Sequence, residues 1–192
     1  MTVMPTIARL GGRDVGVRSL LRRIRDLVRG GLYVMTVHGQ EEMEADGLTL
    51  EDVEHVLLTG EIVERQRDQQ TGEAKYLVEG NGLSEERTRV AAKVGPTGAA
   101  RDHHGVSLHE RGSCMICDIC GREGARVRRT TRPFGSGRSA FLIEGVPLVR
   151  CPNCGESYFT ADTLKGIERI RKHWRKVTVG KQVPVAKFRG AA

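Results

Sequence analysis

The sequence predicts an α+β fold in two parts. A helix-then-antiparallel-sheet domain comes first, and a small β-hairpin or ribbon domain with a C-terminal helix follows. Two observations carry this prediction. The spacing of the apolar residues changes from that of a helix to that of a strand near Gly60. Beyond residue 113, two Cys-x-x-Cys-Gly segments flank a stretch of strand-like residues. Helices that precede a run of strands are typical of α+β proteins.

The charge of the chain is divided unevenly between these two parts. The 192 residues carry a formal net charge of +7. Residues 1–113 contain 15 Lys and Arg against 18 Asp and Glu, a net of −3, whereas residues 114–192 contain 16 against 6, a net of +10. This asymmetry predicts two modules, of which the basic one faces nucleic acid or an acidic partner, or is simply a solvated surface. No apolar run approaches a membrane span, so we expect a cytoplasmic protein with no membrane partner.

Three helices are predicted in the N-terminal part. From Val17 to Val28 the apolar residues share one helical face, arginines fill much of the other, and Gly30 ends the helix. A second helix is expected over 40–45, and a third begins after the cap Thr49 and ends at Gly60. Strands are then expected at residues 61–65, 75–79 and 89–94, joined by turns at 70–73 and 96–98.

The residues from Val34 to Gly60 carry a diffuse motif. Its parts are Thr36-Val37-His38, Met43, Gly47-Leu48-Thr49, Glu51-Asp52-Val53 and Leu58-Thr59-Gly60-Glu61. With this motif, the stretch from Val17 to Ala100 resembles domain-of-unknown-function family 4258. That family is similar to small ribonuclease toxins of the RelE and MqsR kind, so the resemblance implies a compact, toxin-like α+β domain.

The same resemblance makes His38 the candidate catalytic residue, as the general base of an endoribonuclease. Two positions at which the family usually has arginine hold Glu42 and Asp46 here. RNA cleavage needs cations that stabilise the developing charge, and these two acids remove that help. We therefore lean towards a protein that is not an enzyme. The alternatives are a degenerate or active endoribonuclease, similar to an mRNA interferase, and a His38 that is merely a packed structural residue.

The strongest chemical signal is the pair of segments Cys117-Asp118-Ile119-Cys120-Gly121 and Cys151-Pro152-Asn153-Cys154-Gly155. Four thiolates at this spacing close a tetrahedral shell around Zn²⁺ and leave no position for water or substrate, so the predicted zinc site is structural. The glycine after each pair lets the backbone fold back, so that amide N–H groups point at the sulfurs. Disulfide bonds between these cysteines would need an oxidising compartment. A thioredoxin-like redox motif would explain only one of the two cysteine pairs.

The first pair of metal ligands has an alternative assignment, because Cys114 and Cys117 also have the Cys-x-x-Cys spacing. Gly121 follows only the pair Cys117 and Cys120, which favours that pair and leaves Cys114 as a spare thiol.

Around the cysteines, strands are predicted over 125–132 and 140–149, joined by a turn at 134–138. A basic helix is expected from about Asp162 to Lys176, capped by Thr160 or Asp162. The apolar core that these elements supply is small. Because metal binding contributes about 10–16 kcal/mol in zinc-finger peptides, zinc is expected to decide whether this part folds.

The stretch from Ile116 to Lys176 resembles the YgiT-type zinc finger, the amino-terminal zinc domain of MqsA antitoxins. Val146-Pro147, Cys151-Pro152, Cys154-Gly155 and Tyr158 match its strand and second knuckle. The resemblance makes Cys117, Cys120, Cys151 and Cys154 the metal ligands.

Genes of the two families often sit side by side as toxin-like and antitoxin-like neighbours, and this chain carries both in that order. The leading interpretation is therefore a toxin–antitoxin-type fusion protein. Its zinc-binding C-terminal half would bind the toxin-like half, in cis or between chains. The alternatives left open are a homodimer and a zinc-ribbon protein that binds RNA or DNA through its basic C-terminal half.

The join between the two parts resembles a shifted reading frame. Residues 102–107 can be encoded by the codons GAT CAT CAC GGT GTA TCN. Without their first base these codons read Ile-Ile-Thr-Val-Tyr, which resembles the strand that normally completes the first family. The shifted frame would stop on top of the codon of Met115. We expect a loose linker whose His103, His104 and His109 bind no metal, a sheet edge left open, and a tail from Val183 that covers this edge.

These arguments divide the chain into an N-terminal tail at 1–16, a toxin-like α+β domain at 17–101, a linker and gene join at 102–115, a zinc-finger domain at 116–176, and a C-terminal tail at 177–192.

Overall fold

A computed structural model describes residues 15–67, 74–95, 115–135 and 137–182 of the chain. Within these ranges it contains four α-helices and two antiparallel sheets. The helices are α1 (Val15–Arg29), α2 (Val37–Ala45), α3 (Leu50–Thr59) and α4 (Ala161–Val177). The strands are β1 (Val34–Thr36), β2 (Glu61–Arg67), β3 (Ala74–Asn81), β4 (Arg87–Ala92), β5 (Met115–Ile116), β6 (Glu123–Phe134), β7 (Phe141–Arg150) and β8 (Ser157–Thr160). A 3₁₀ turn covers Gly137–Ser139.

Local capping sets the ends of the N-terminal helices. The Thr49 side chain accepts a hydrogen bond from the Asp52 amide, and the Asp52 carboxylate accepts one from the Thr49 amide at 2.9 Å, which forms a capping box at the start of α3. At the other end, a Cβ atom on Gly60 would lie 2.5 Å from the Glu79 carbonyl oxygen. Only glycine therefore allows β3 to pass this close to the end of α3.

Helix α2 begins earlier than the predicted start at Gln40. The hydroxyl of Thr36 accepts a hydrogen bond from the Gly39 amide at 3.0 Å and caps the helix three residues further upstream. This cap places His38 in the first turn of α2.

The three-stranded sheet has the order β2-β3-β4 and lies beneath α3. Val78 on β3 and Val56 on α3 are both fully buried, and α1 covers the same helix with Ile24 and Val28. This part forms the compact N-terminal core that the apolar spacing predicts.

The five-stranded sheet has the order β1-β8-β7-β6-β5 and therefore draws on both parts of the chain. Strand β1 pairs antiparallel with β8, with Met35 opposite Phe159. No strand was predicted at Val34–Thr36, because the partner of β1 lies far along the chain. Since side chains alternate along a strand, Val34 and Met35 pack on opposite faces of the sheet.

The main apolar cluster on one face of this sheet is also shared. Its buried members are Leu50, Phe134, Ile143, Val146, Phe159, Leu164 and Ile167, with Tyr33, Met35 and Val37 packed against them. The C-terminal part is thus not limited to its own small core, as the sequence alone suggested, because residues from the N-terminal part complete it.

Several predictions fall outside the described residues. They concern the turns at 70–73 and 96–98, the thiol of Cys114, the linker histidines at 103, 104 and 109, and the tail from Val183 onward. The last residue of the predicted linker, Met115, lies in β5 and pairs with Ala125. None of the four described helices combines the length and the apolar character that a membrane crossing requires.

We predict that Asp52→Ala lowers the free energy of unfolding by about 2 kcal/mol, because a helix cap and a loop contact are lost together. The Asp52 carboxylate accepts from the Thr49 amide and also from the Leu83 amide at 2.9 Å. Chemical denaturation measures this loss, with Glu61→Ala as the control on an exposed acid, expected within about 0.5 kcal/mol of the unmodified chain. An equal loss in both variants would contradict the assigned role.

Candidate metal centre

The two cysteine segments adopt the same backbone turn. In the first, the Cys117 amide donates to the Arg122 carbonyl at 2.8 Å, and the Gly121 amide donates back to the Cys117 carbonyl at 2.8 Å. In the second, the equivalent bonds from Cys151 and Gly155 measure 3.0 and 3.1 Å. Both glycines have positive φ, +71° and +76°, a conformation that a side chain would disfavour. The two turns thus form matching knuckles.

The four sulfur atoms of the knuckles meet at one point. All four Sγ atoms lie within 4.8 Å of one another, and the distances across the knuckles are 3.9 Å from Cys117 to Cys154 and 3.8 Å from Cys120 to Cys151. A tetrahedron with metal–sulfur bonds of about 2.3 Å has edges of about 3.8 Å. The sulfurs are therefore spaced to hold one metal ion, and all four cysteines are free of disulfides.

The surroundings of the buried sulfurs tune their ionisation. Burial raises the pKa of Cys117. Burial acts in the same direction on Cys151, but hydrogen bonds from the backbone amides of Cys154 and Asn153 outweigh it and lower the pKa of Cys151 to about 7. Amide groups that point at sulfur in this way stabilise the thiolate, which is the form that binds metal.

Tyr158 connects the metal centre to the sheet. Its side chain is fully buried in the cluster of Cys117, Ala125, Val149 and Cys151, and its hydroxyl oxygen accepts a hydrogen bond from the Asp118 amide at 3.1 Å. Burial raises the pKa of this tyrosine, so it stays neutral. Tyr158 lies on β8, where it pairs with β1 and β7, so the same residue contacts the first knuckle and fixes the strand that holds β1.

A line of ion pairs joins the two parts of the chain beside the sheet. In each of these pairs the N-terminal part supplies the acid and the C-terminal part supplies the base. The pairs are Glu41 with Arg132 at 2.9 Å, Glu44 with Arg171 at 3.3 Å, Glu51 with Lys172 at 2.6 Å, and Glu54 with Lys165 at 3.6 Å. The direction agrees with the net charges of −3 and +10 read from the sequence. Partly exposed pairs contribute about 0–1 kcal/mol each, so they orient the contact more than they hold it.

Arg132 on β6 makes the most connected contact in this interface. Its guanidinium bonds to Glu41 at 2.9 Å and to the amide oxygen of buried Gln40 at 3.3 Å, and it lies 5.9 Å from the ring centroid of Phe159. Within the N-terminal part, the Tyr33 hydroxyl donates to Glu54 at 2.6 Å and so holds the acid that pairs with Lys165. Sequence reasoning did not single out either residue; the charge asymmetry was the one signal that pointed to such pairs.

His38 lies apart from both the sulfurs and this interface. Its side chain is 80% exposed, and its Nε2 atom lies 3.2 Å from a carboxylate oxygen of Glu42, one turn further along α2. Asp46, the second acid singled out in the sequence, is the C-cap residue of the same helix. The face of α2 that carries His38 is thus open to solvent, whereas Gln40 and Met43 face the interior.

Residues 35–99 match the model of a family described as a domain of unknown function, DUF4258. The match covers about a third of the chain, from the middle of β1 to just beyond β4. It supports the resemblance that the motif around His38 indicated. A search of curated proteins and a search of solved structures each found no match.

We predict that the purified chain carries one metal ion, and that Cys151→Ser loses it, because three sulfurs leave the coordination shell incomplete. Native mass spectrometry with elemental analysis measures both. Cys114→Ser is the matched control and should keep the metal, since the four described sulfurs already complete a tetrahedral shell. Loss of metal in the control, or metal retained by Cys151→Ser, would contradict the assigned ligand set.

Proposed function

We propose that this chain is a toxin–antitoxin-type fusion protein. In it, a zinc-binding, antitoxin-like C-terminal half holds the toxin-like N-terminal half. The carrying observation is that β1, within which the DUF4258 match begins, forms the edge strand of the sheet that the cysteine knuckles close. Main-chain strand addition of this kind is a common way for one protein to bind another.

Zinc is the metal that the donor set fits best. Four thiolates and no oxygen ligands select a soft or borderline ion, and a closed four-sulfur shell is the usual structural zinc site. The ion would hold the two knuckles together and would leave no position for a substrate, so its role is to fix the fold.

The binding of the two halves is supported by three kinds of contact at once. Strand β1 supplies backbone pairing with β8, Met35 and Leu50 pack into the apolar cluster around Phe159, and the acids of α2 and α3 face bases of β6 and α4. Apolar burial supplies most of the free energy in such a contact, and the complementary charges fix its orientation.

In this proposal the N-terminal half binds without performing catalysis. The neighbour of His38 on α2 is an acid, and Glu42 and Asp46 stand where cations would assist RNA cleavage. The docked C-terminal half leaves His38 exposed, so binding would act by holding the toxin-like half rather than by covering this residue.

The proposal predicts that the two halves remain together when the chain between them is cut. A protease site inserted after Gly105 allows the chain to be cut between the halves. Once it is cut, the two fragments should co-elute in size-exclusion chromatography at micromolar concentration. In the cut protein, Arg132→Ala should weaken association about tenfold, equivalent to about 1.4 kcal/mol, because it removes the contacts to Gln40, Glu41 and Phe159.

Arg128→Ala is the matched control, since Arg128 lies on the same strand but is exposed. It should leave the dissociation constant within about twofold, as expected for an exposed surface side chain. Separation of the fragments of the unmodified protein, or an equal effect of the two substitutions, would count against a toxin–antitoxin-type docking of the halves.

A further inference from the structure

We infer that the arginine face of α1 is a binding surface for the phosphate backbone of a polynucleotide. This helix lies outside the residues that match DUF4258 and outside the metal centre. Five of its fifteen residues are arginine and one is acidic. The role proposed above for the rest of the chain does not use this surface.

The arginines form a continuous row. Arg18, Arg22, Arg25 and Arg29 follow one another at steps of four, three and four residues, which places them along one side of the helix. With Leu21 and Asp26 they line an open groove of about 500 Å³. A regular row of guanidinium groups suits a regular row of phosphates, because the planar guanidinium binds phosphate oxygens in pairs.

The cations of this row are only partly used within the described residues. Arg25 donates through Nη2 to the Gly60 carbonyl at 2.9 Å, but its Nε atom is buried with no hydrogen-bond partner. Arg29 pairs with Asp26 at 3.0 Å. Arg18 and Arg22 are exposed and make no ion pair within the part of the chain that the structure covers. A ligand with several negative charges would pair with the exposed guanidinium groups of Arg18 and Arg22.

The chain itself offers no suitable occupant among its three longest undescribed segments. Their Lys, Arg, Asp and Glu sum to +1 over residues 1–14, to 0 over 96–114 and to +2 over 183–192, so none carries a net negative charge to bring to the row. The short segment 68–73 holds two acids, but it comes after Arg67, the last residue of β2. Arg25 contacts Gly60, which precedes the first residue of that strand, so the segment and Arg25 belong to opposite ends of β2. The occupant is therefore a separate molecule.

The packing of α1 decides between the anionic partners. A membrane-bound amphipathic helix inserts its apolar face, yet Ile24 and Val28 of α1 are each only 5% exposed. A protein interface needs an apolar centre, and Leu21 is the one apolar residue that lines this groove. A polynucleotide needs neither, because phosphate contacts alone supply non-specific binding.

The test is fluorescence anisotropy of a labelled single-stranded RNA and of the DNA of the same sequence, titrated with the full-length, metal-loaded chain over a series of salt concentrations. The double variant Arg18→Gln, Arg22→Gln should bind about tenfold more weakly at low salt. The plot of the logarithm of the association constant against the logarithm of the salt concentration should become shallower, its negative slope losing about 1.4 in magnitude. This change corresponds to two lost phosphate contacts on a single strand. Glutamine keeps the helix propensity, so the melting temperature should not change.

The double variant Arg128→Gln, Arg150→Gln is the matched control, because it removes the same charge from exposed positions on the five-stranded sheet. Its affinity should stay within about twofold. Equal losses in the two double variants would overturn the inference, as would an unmodified chain that binds neither oligonucleotide. Binding to phosphatidylserine vesicles or to a poly-glutamate peptide, without binding to either oligonucleotide, would overturn it too.

Discussion

The meeting of four sulfur atoms is the interaction on which the rest of the C-terminal architecture depends. The knuckles follow β5 and β7 and precede β6 and β8, so closing them fixes the relative positions of four strands. Tyr158 connects the first knuckle to β8, because its hydroxyl accepts a hydrogen bond from the Asp118 amide. Thr160, at the end of β8, then caps α4 by accepting a hydrogen bond from the Thr163 amide at 3.3 Å.

From this centre, the order extends to the N-terminal part. Strand β8 offers its free edge to β1, and α4 presents Lys165, Arg171 and Lys172 to the acids of α2 and α3. Because β1 runs directly into α2 and shares the Thr36 cap with it, pairing at the sheet edge also sets the position of α2. The metal centre and the N-terminal helices are thus linked by a short series of direct contacts.

The sequence predicted best those features that depend on neighbouring residues. Thr49, Asp52 and Gly60 mark the ends of α3 through local capping, and the Cys-x-x-Cys-Gly spacing identifies which sulfurs can meet. Strand β1 could not be predicted, because three residues are too few to show an alternating pattern. Its strand conformation depends on pairing with β8, which lies far along the chain. The asymmetry in net charge indicated which half supplies the acids, but which residues pair depends on how the helices pack.

We propose that the metal centre, acting through β8, holds the two halves together. Hydrogen exchange of the backbone amides in β1 and β8, measured by mass spectrometry with and without a zinc chelator, tests it most directly. We expect chelation to remove the protection of Val34–Thr36 and Ser157–Thr160, while amides of α3 and β3 keep theirs. Unchanged protection of β1 in the metal-free protein would contradict a link between the metal centre and the two halves.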